Sequence, residues 1–313
     1  MSWKVLITAP YMLPIVERFD DFFAGHGIEI VKAQVEERME EEDLLAVIAD
    51  FDGVICGDDR FTEKVLDAAS KLKAIAKWGT GIDSINKEAA EVRDIRVSRT
   101  LDAFTEPVAD STLGYILSFA RRLPWMDRQM KQGVWDKIPG RALFESTVGV
   151  IGIGATGSGT LRRAGAFGAE LLGNDIRDIN AGHIKALGVE MVSLNDLLER
   201  ADFVCVHCDL NPTSEHLMST AEFAKMKETA VLINLARGPL VDERALIQAL
   251  ESGEIAGAAL DVFEDEPLPK DSPLLTMDNV MVAPHNSNSS PEAWERVHWS
   301  TLNNLLRDLK ASE

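Results

Sequence analysis

Short apolar runs alternate with helix-length amphipathic stretches through almost the whole chain, and one run, Thr147-Val-Gly-Val-Ile151, leads directly into Gly152-Ile-Gly154-Ala-Thr-Gly157. Such alternation is the pattern of a parallel sheet with crossover helices. Strands are expected at 4–8, 29–32, 53–56, 74–77 and 95–98, with helices near 12–25, 41–49, 62–70 and 86–91, which together make a flavodoxin-like unit. A second doubly wound unit is expected from strands at 147–151, 170–174, 203–207, 230–234, 258–261 and 280–283, with helices near 157–167, 181–186, 194–199, 219–225 and 242–251. Long helices at 107–122 and 291–310 flank that second unit, so the chain crosses over and returns, and its last helix is expected to pack on the first unit.

The glycines have a physical use. After a buried strand, Gly152 permits a tight turn, Gly154 leaves room for a pyrophosphate, and Gly157 lets helix and strand pack closely. The helix that follows presents unpaired N–H groups to an anion. Asp175 stands eighteen residues beyond Gly157 at the end of the next strand, where a carboxylate would bond an adenosine ribose and repel a 2′-phosphate. NAD is therefore expected over NADP, with Arg177, two residues on, able to offset part of the repulsion. Gly159 and Gly165 inside the expected helix have no account at this level.

An ordered trio follows, Arg237, Glu266 and His285, each a few residues beyond an expected strand. Ligands of open α/β sheets bind beyond the carboxyl ends of the strands. Arg237 has the planar fork that holds a carboxylate and a neighbouring carbonyl oxygen. His285 is a titratable imidazole suited to general acid/base work. Glu266 is an acid beside it, and a carboxylate favours the imidazolium form. Asp261 is expected to hold a nicotinamide carboxamide. Together these residues describe hydride transfer between a nicotinamide cofactor and a small 2-oxo or 2-hydroxy acid. The remaining histidines, His26, His183, His207, His216 and His298, have no such setting and read as structural or solvated.

Composition excludes several alternatives. The chain has 313 residues, enough for two cores, and 46% of them are apolar. A formal net charge of −19 argues against a phosphate-backbone binder, so no nucleic acid partner is expected. No apolar run is long enough for a bilayer and the N-terminus has no secretory pattern, so no membrane partner and a cytoplasmic location are expected. Cys56, Cys205 and Cys208 are too few for a disulfide scaffold. Cys205 and Cys208 flank His207, but strand alternation puts Cys205 and His207 on one face and Cys208 on the other. No metal is expected.

The chain resembles the D-isomer-specific 2-hydroxyacid dehydrogenases, phosphoglycerate and glycerate dehydrogenases among them. The resemblance rests on Asn234-Leu-Ala-Arg-Gly-Pro-Leu-Val-Asp-Glu-Arg-Ala-Leu, Leu260-Asp-Val-Phe-Glu-Asp-Glu-Pro-Leu-Pro and Ala283-Pro-His, and on Lys77-Trp78-Gly79-Thr80-Gly81-Ile-Asp83 and Pro107-Val-Ala-Asp110. It implies that backbone amides of the Trp78, Gly79, Thr80 and Gly81 loop receive the substrate carboxylate, and that the protein is an NAD-linked homodimer with a closing cleft. The expected division is 1–100 with 287–313 as substrate-binding domain and 101–286 as the Rossmann NAD-binding domain. The apolar helix over 108–123, with Trp125 and Trp135, is a dimer surface on this reading, although burial within one chain explains it nearly as well. Where phosphoglycerate-type members commonly carry Arg, this chain has Cys56-Gly-Asp58-Asp59-Arg60, which argues for an unphosphorylated substrate such as hydroxypyruvate or glyoxylate. A non-enzymatic NAD(H)-sensing interaction protein of the same fold is the alternative.

Overall fold

Parallel strands covered on both faces have no polar side to alternate with, and the strands of this chain read accordingly. The structure, a computed structural model, describes residues 2–312. They form two units, one running to Ala103 and resuming at Ser290, the other Phe104–Ser289.

The first unit contains β1 (Trp3–Ile7), α1 (Asp20–Gly25), β2 (Ile28–Lys32), α2 (Glu41–Leu45), β3 (Gly53–Cys56), α3 (Glu63–Ala68), β4 (Ala74–Lys77), α4 (Lys87–Val92) and β5 (Arg96–Ser98). All five strands are parallel, in the order β2-β1-β3-β4-β5. Every residue of β3 and β4 is buried. The helices are started by side-chain caps where the sequence offers them: Thr62 accepts from Val65 N and Asn86 from Ala89 N.

The second unit begins with α5 (Thr105–Arg121) and α6 (Leu123–Lys131). Then come β6 (Thr147–Ile151), α7 (Ala155–Ala166), β7 (Glu170–Asn174), α8 (Ala181–Leu187), β8 (Glu190–Met191), α9 (Leu194–Arg200) and β9 (Phe203–Val206). The unit closes with α10 (Thr220–Phe223), β10 (Val231–Asn234), α11 (Glu243–Ser252), β11 (Gly257–Leu260) and β12 (Val280–Val282). Its seven parallel strands run β12-β11-β10-β9-β6-β7-β8. α12 (Pro291–Lys310) then returns to the first unit and lies against its sheet, where Leu305 and Leu309 come so near Gly53 that a Cβ there would sit 3.0 Å from Leu305 Cδ1. No helix of the described residues is long and apolar enough to cross a membrane.

Several expectations need correction. The helix expected over 12–25 is a 3₁₀ turn, Leu13–Phe19, followed by α1. The stretch 41–49 ends as an α-helix at Leu45, and 219–225 shrinks to α10. α5 stops at Arg121 because Arg122 takes a left-handed conformation with φ 55°. The helix that follows, α6, was not expected; none of its residues is buried, so it has no core stripe to betray it. The two-residue edge strand β8 is too short to show a period.

One face of α5 packs inside its own unit, with Ala109, Ile116, Phe119 and Ala120 buried. Trp125 packs on Phe119 with ring centroids 5.0 Å apart and donates from Nε1 to the Asp278 carbonyl. On the segment expected as a dimer surface, Leu123 remains 51% exposed, Leu113 and Leu117 are only partly buried, and Trp135 is 80% exposed. The two unexplained glycines also find their reason here. A Cβ on Gly159 would sit 3.1 Å from Ala109 Cβ, so glycine is what lets α7 approach α5. Gly165 stands equally close to Leu171 Cδ1.

Asp59 ties three segments of the first unit together. It is fully buried, and its carboxylate accepts from Thr8 Oγ1 at 2.6 Å, Met39 N at 2.6 Å and Gly57 N at 2.9 Å. Burial pushes this carboxyl above the usual range, against the pull of its three donors. Asp59→Ala is expected to cost about 2–4 kcal/mol, because three buried donors lose their acceptor. The check is a urea unfolding curve, whose midpoint should fall clearly; an unmoved midpoint would remove Asp59 as a structural tie.

Candidate active site

The glycine turn after β6 is built on close approach. Gly152 has φ 94°, and a Cβ on it would lie 2.6 Å from Cys208 N; a Cβ on Gly157 would meet the Gly152 carbonyl oxygen at 2.0 Å. Gly154, by contrast, faces open space, with nothing within 4 Å of a Cβ built there. It stands at the N-cap of α7 and brings no side chain to occupy the orphan N–H groups of the first turn. An open, donor-lined cradle at a helix N-terminus fits a dinucleotide pyrophosphate. Asp175, one residue beyond β7, is bound back to this loop: Ile153 N donates to Oδ2 at 2.8 Å. Arg177 donates its backbone N and Nε to Oδ1 at 2.9 and 3.0 Å, and Nη2 to Oδ2 at 2.9 Å. The guanidinium above all holds this carboxyl down to about 2.

Three adjacent strands at one end of the sheet, β10, β11 and β12, position the trio. Asn234 closes a small turn at the end of β10, accepting from Ala236 N at 3.1 Å and donating to the Arg237 carbonyl at 2.8 Å. Arg237 Nη1 donates to the Ala236 carbonyl at 2.9 Å. The next residue must be glycine, since a Cβ on Gly238 would fall 1.8 Å from the Phe263 carbonyl oxygen. Beyond β11, Glu266 Oε1 accepts from Phe263 N at 3.0 Å and Oε2 lies 2.9 Å from His285 Nδ1. Glu264 turns elsewhere, to His216 Nε2 at 2.7 Å, so the acidic run Glu264-Asp265-Glu266 is not a uniformly solvated loop. Past β12, His285 is held in a left-handed conformation, φ 49°, with its N–H on the Asp261 carbonyl at 2.8 Å. The fully buried Asp261 carboxylate accepts from Asn286 N and Ser287 N, both at 2.8 Å, and so anchors the loop that carries His285.

The model of the D-isomer specific 2-hydroxyacid dehydrogenase NAD binding domain matches residues 113–287, more than half of the chain and most of the second unit. The chain belongs to the D-isomer specific 2-hydroxyacid dehydrogenase family. Membership carries the class of chemistry, NAD-dependent oxidoreduction of a 2-hydroxy or 2-oxo acid, and the second unit is the family's NAD-binding domain. A glyoxylate reductase of Thermofilum pendens is 40% identical over 276 residues, covering 86% of this chain and 81% of that protein. A D-3-phosphoglycerate dehydrogenase of Methanocaldococcus jannaschii is 39% identical over 294 residues, covering 93% of this chain; the chain spans 54% of that longer relative. The structure of an Aquifex aeolicus D-lactate dehydrogenase complexed with NAD and lactic acid superposes with a TM-score of 0.84 at 26% identity, covering 96% of this chain and 93% of that one.

In the first unit of this family member, the loop after β4 is firmly held. The Trp78 amide donates to the Cys56 carbonyl at 2.9 Å, so of the four amides expected to meet a carboxylate this one is already bonded. Gly79 has φ 128°; its carbonyl accepts from Thr100 N, and Thr80 Oγ1 donates to the Thr100 carbonyl, both at 2.9 Å. The Trp78 ring stacks on Tyr11 with centroids 5.0 Å apart. His298 on α12, read from sequence as structural or solvated, accepts the Trp78 indole N–H on Nδ1 at 2.9 Å. At 220 residues apart, nothing local could have announced that pairing. Both carboxylates weighed against a phosphorylated substrate are engaged by the fold, which leaves the missing arginine alone on that side. Asp59 is turned into the fold, and Asp58 is paired with the buried Lys77 ammonium at 2.7 Å.

The Cys205, His207 and Cys208 group divides between environments. Cys205 belongs to the core on one side of the sheet and Cys208 packs against the core on the other. Burial raises both thiols, Cys208 to about 11, so neither is a thiolate near neutrality. His207 Nε2 lies 3.0 Å from Thr160 Oγ1 on α7, and burial lowers the imidazole to about 4. Neutral in the fold and near its ordinary value when unfolded, His207 leaves stability intact above about pH 6.5 and removes it as the pH falls toward 4. Because the ring is partly exposed, the loss at pH 5 is expected to be about 1–2 kcal/mol. A His207→Gln variant should lose that part of the acid dependence in urea titrations.

The contact at Gly238 gives a second test. Gly238→Ala must displace either Arg237 or the Phe263 backbone that holds Glu266, and turnover is expected to fall by about a hundredfold or more. Turnover equal to the parent's would show that this approach is not needed.

Proposed function

We propose that the chain reduces a small, unphosphorylated 2-oxo acid such as hydroxypyruvate or glyoxylate to the 2-hydroxy acid. The observation that carries this reading is the His285–Glu266 pair, which stands with Arg237 beyond three adjacent strands of one sheet. Arg237 orients the substrate, its fork bonding the carboxylate and the carbonyl oxygen. Glu266 accepts the Nδ1–H of His285, which makes Nε2 the nitrogen that gives its proton to the substrate oxygen. NADH, when bound, supplies the hydride. Asp261 serves by keeping the His285 loop in place beside the nicotinamide end of the cofactor site. Gly152, Gly154 and Gly157 receive the pyrophosphate, and Gly79 to Gly81 receive the substrate carboxylate.

The unphosphorylated substrate is supported by the similarity to the glyoxylate reductase of Thermofilum pendens, 40% identical over 276 residues. We read the protein as a homodimer, the exposed Trp135 and Phe144 of the second unit offering apolar surface to a second copy.

The test is NADH consumption with glyoxylate, hydroxypyruvate, pyruvate and phosphohydroxypyruvate. Turnover with an unphosphorylated acid is expected, and turnover with phosphohydroxypyruvate alone would overturn the substrate. His285→Ala is expected to lower kcat by about a thousandfold while NADH still binds, and Glu266→Gln by about a hundredfold. Unchanged turnover in His285→Ala would remove it from the mechanism.

A further inference from the structure

We propose that Arg177 sets the choice between the two nicotinamide dinucleotides, masking the Asp175 carboxylate so that a 2′-phosphate is accepted alongside an unmodified ribose. The inference rests on the second unit being a dinucleotide domain and not on which acid is reduced.

A carboxylate has about four acceptor positions. At Asp175 four bonds fill them: Ile153 N and Arg177 Nη2 on Oδ2, Arg177 N and Nε on Oδ1. A ribose hydroxyl can bond Asp175 only by displacing the Arg177 fork. The two partners differ in freedom, since the Asp175 side chain is 4% exposed and the Arg177 side chain 64%. Asp175 is therefore the fixed member, pinned to the glycine loop, and Arg177 the one able to move. Its guanidinium has five N–H donors, of which the Asp175 bonds use two. The others remain for an oxyanion arriving at the ribose.

Charge works the same way. Asp175 and Arg177 cancel as a pair, so an incoming 2′-phosphate does not meet a bare carboxylate. Asp178 and Asp209 also stand nearby, both exposed, and Asp209 acts on Arg177 electrostatically. Without the guanidinium an incoming phosphate would face Asp175 with Asp209 close by, a barrier that Arg177 lowers. Arg177 thus costs NADH part of its ribose contact and gives NADPH a partner, and both effects narrow discrimination.

The experiment is calorimetric titration of the purified full chain with NADH and with NADPH, at low and high salt, for the parent and for Arg177→Ala. Binding is read directly, so the outcome does not depend on finding a substrate. In the parent, the two dissociation constants are expected within about tenfold of each other, with NADPH the more salt-sensitive. In Arg177→Ala the ratio should shift toward NADH by at least about tenfold. A parent that prefers NADH by about a thousandfold or more would overturn the proposal, as would an Arg177→Ala variant that weakens both cofactors equally, the mark of a merely structural arginine.

Discussion

The register between β10, β11 and β12 carries this site. Asn234, Leu260 and Val282 lie side by side in parallel pairing, so the three chains leave the sheet at one level and in one direction. Arg237 follows the first after three residues, and Glu266 and His285 follow the other two. The loops differ in length, so each needs its own tie. Asn234 turns the first, the Glu266 carboxylate bonds the backbone of the second, and Asp261 holds the third by two amides. A slip of one residue in a parallel strand would reverse every side chain and scatter the group.

Buried or half-buried acids do much of the tying in both units. Asp261 holds the histidine loop, Asp59 joins β1, β3 and the segment before α2, and Asp202 accepts from Thr147 N at 2.9 Å while pairing with Arg141 and Lys227. A carboxylate serves well here because it accepts several backbone N–H bonds at once. A chain with 51 acids against 32 basic residues therefore cannot be read as a solvated negative surface alone. Some of that charge is internal architecture.

The parts legible in advance were those with a local signature. The buried strands announced themselves as unbroken apolar runs, the glycine turn by its spacing, and the trio by lying just past strand ends. Elements without a core stripe escaped notice, α6 among them, as did the break between Leu13–Phe19 and α1. For the apolar helix over 108–123 a dimer surface and burial within one chain were both open, because an apolar helix does not say which neighbour it meets; one face of α5 packs in its own unit.

The sequence by itself determined the fold class, the two-unit plan and the identity of the chemically capable residues, because periodicity, glycine geometry and residue type are local properties. Tertiary structure alone decided how those residues are engaged. It gave Asp59 to the fold and Asp58 to Lys77, it set His298 against Trp78, and it filled every acceptor position of Asp175. Hydrogen bonds and ion pairs between distant segments depend on where the chain returns, and that is settled only when the sheets close and the helices pack upon them.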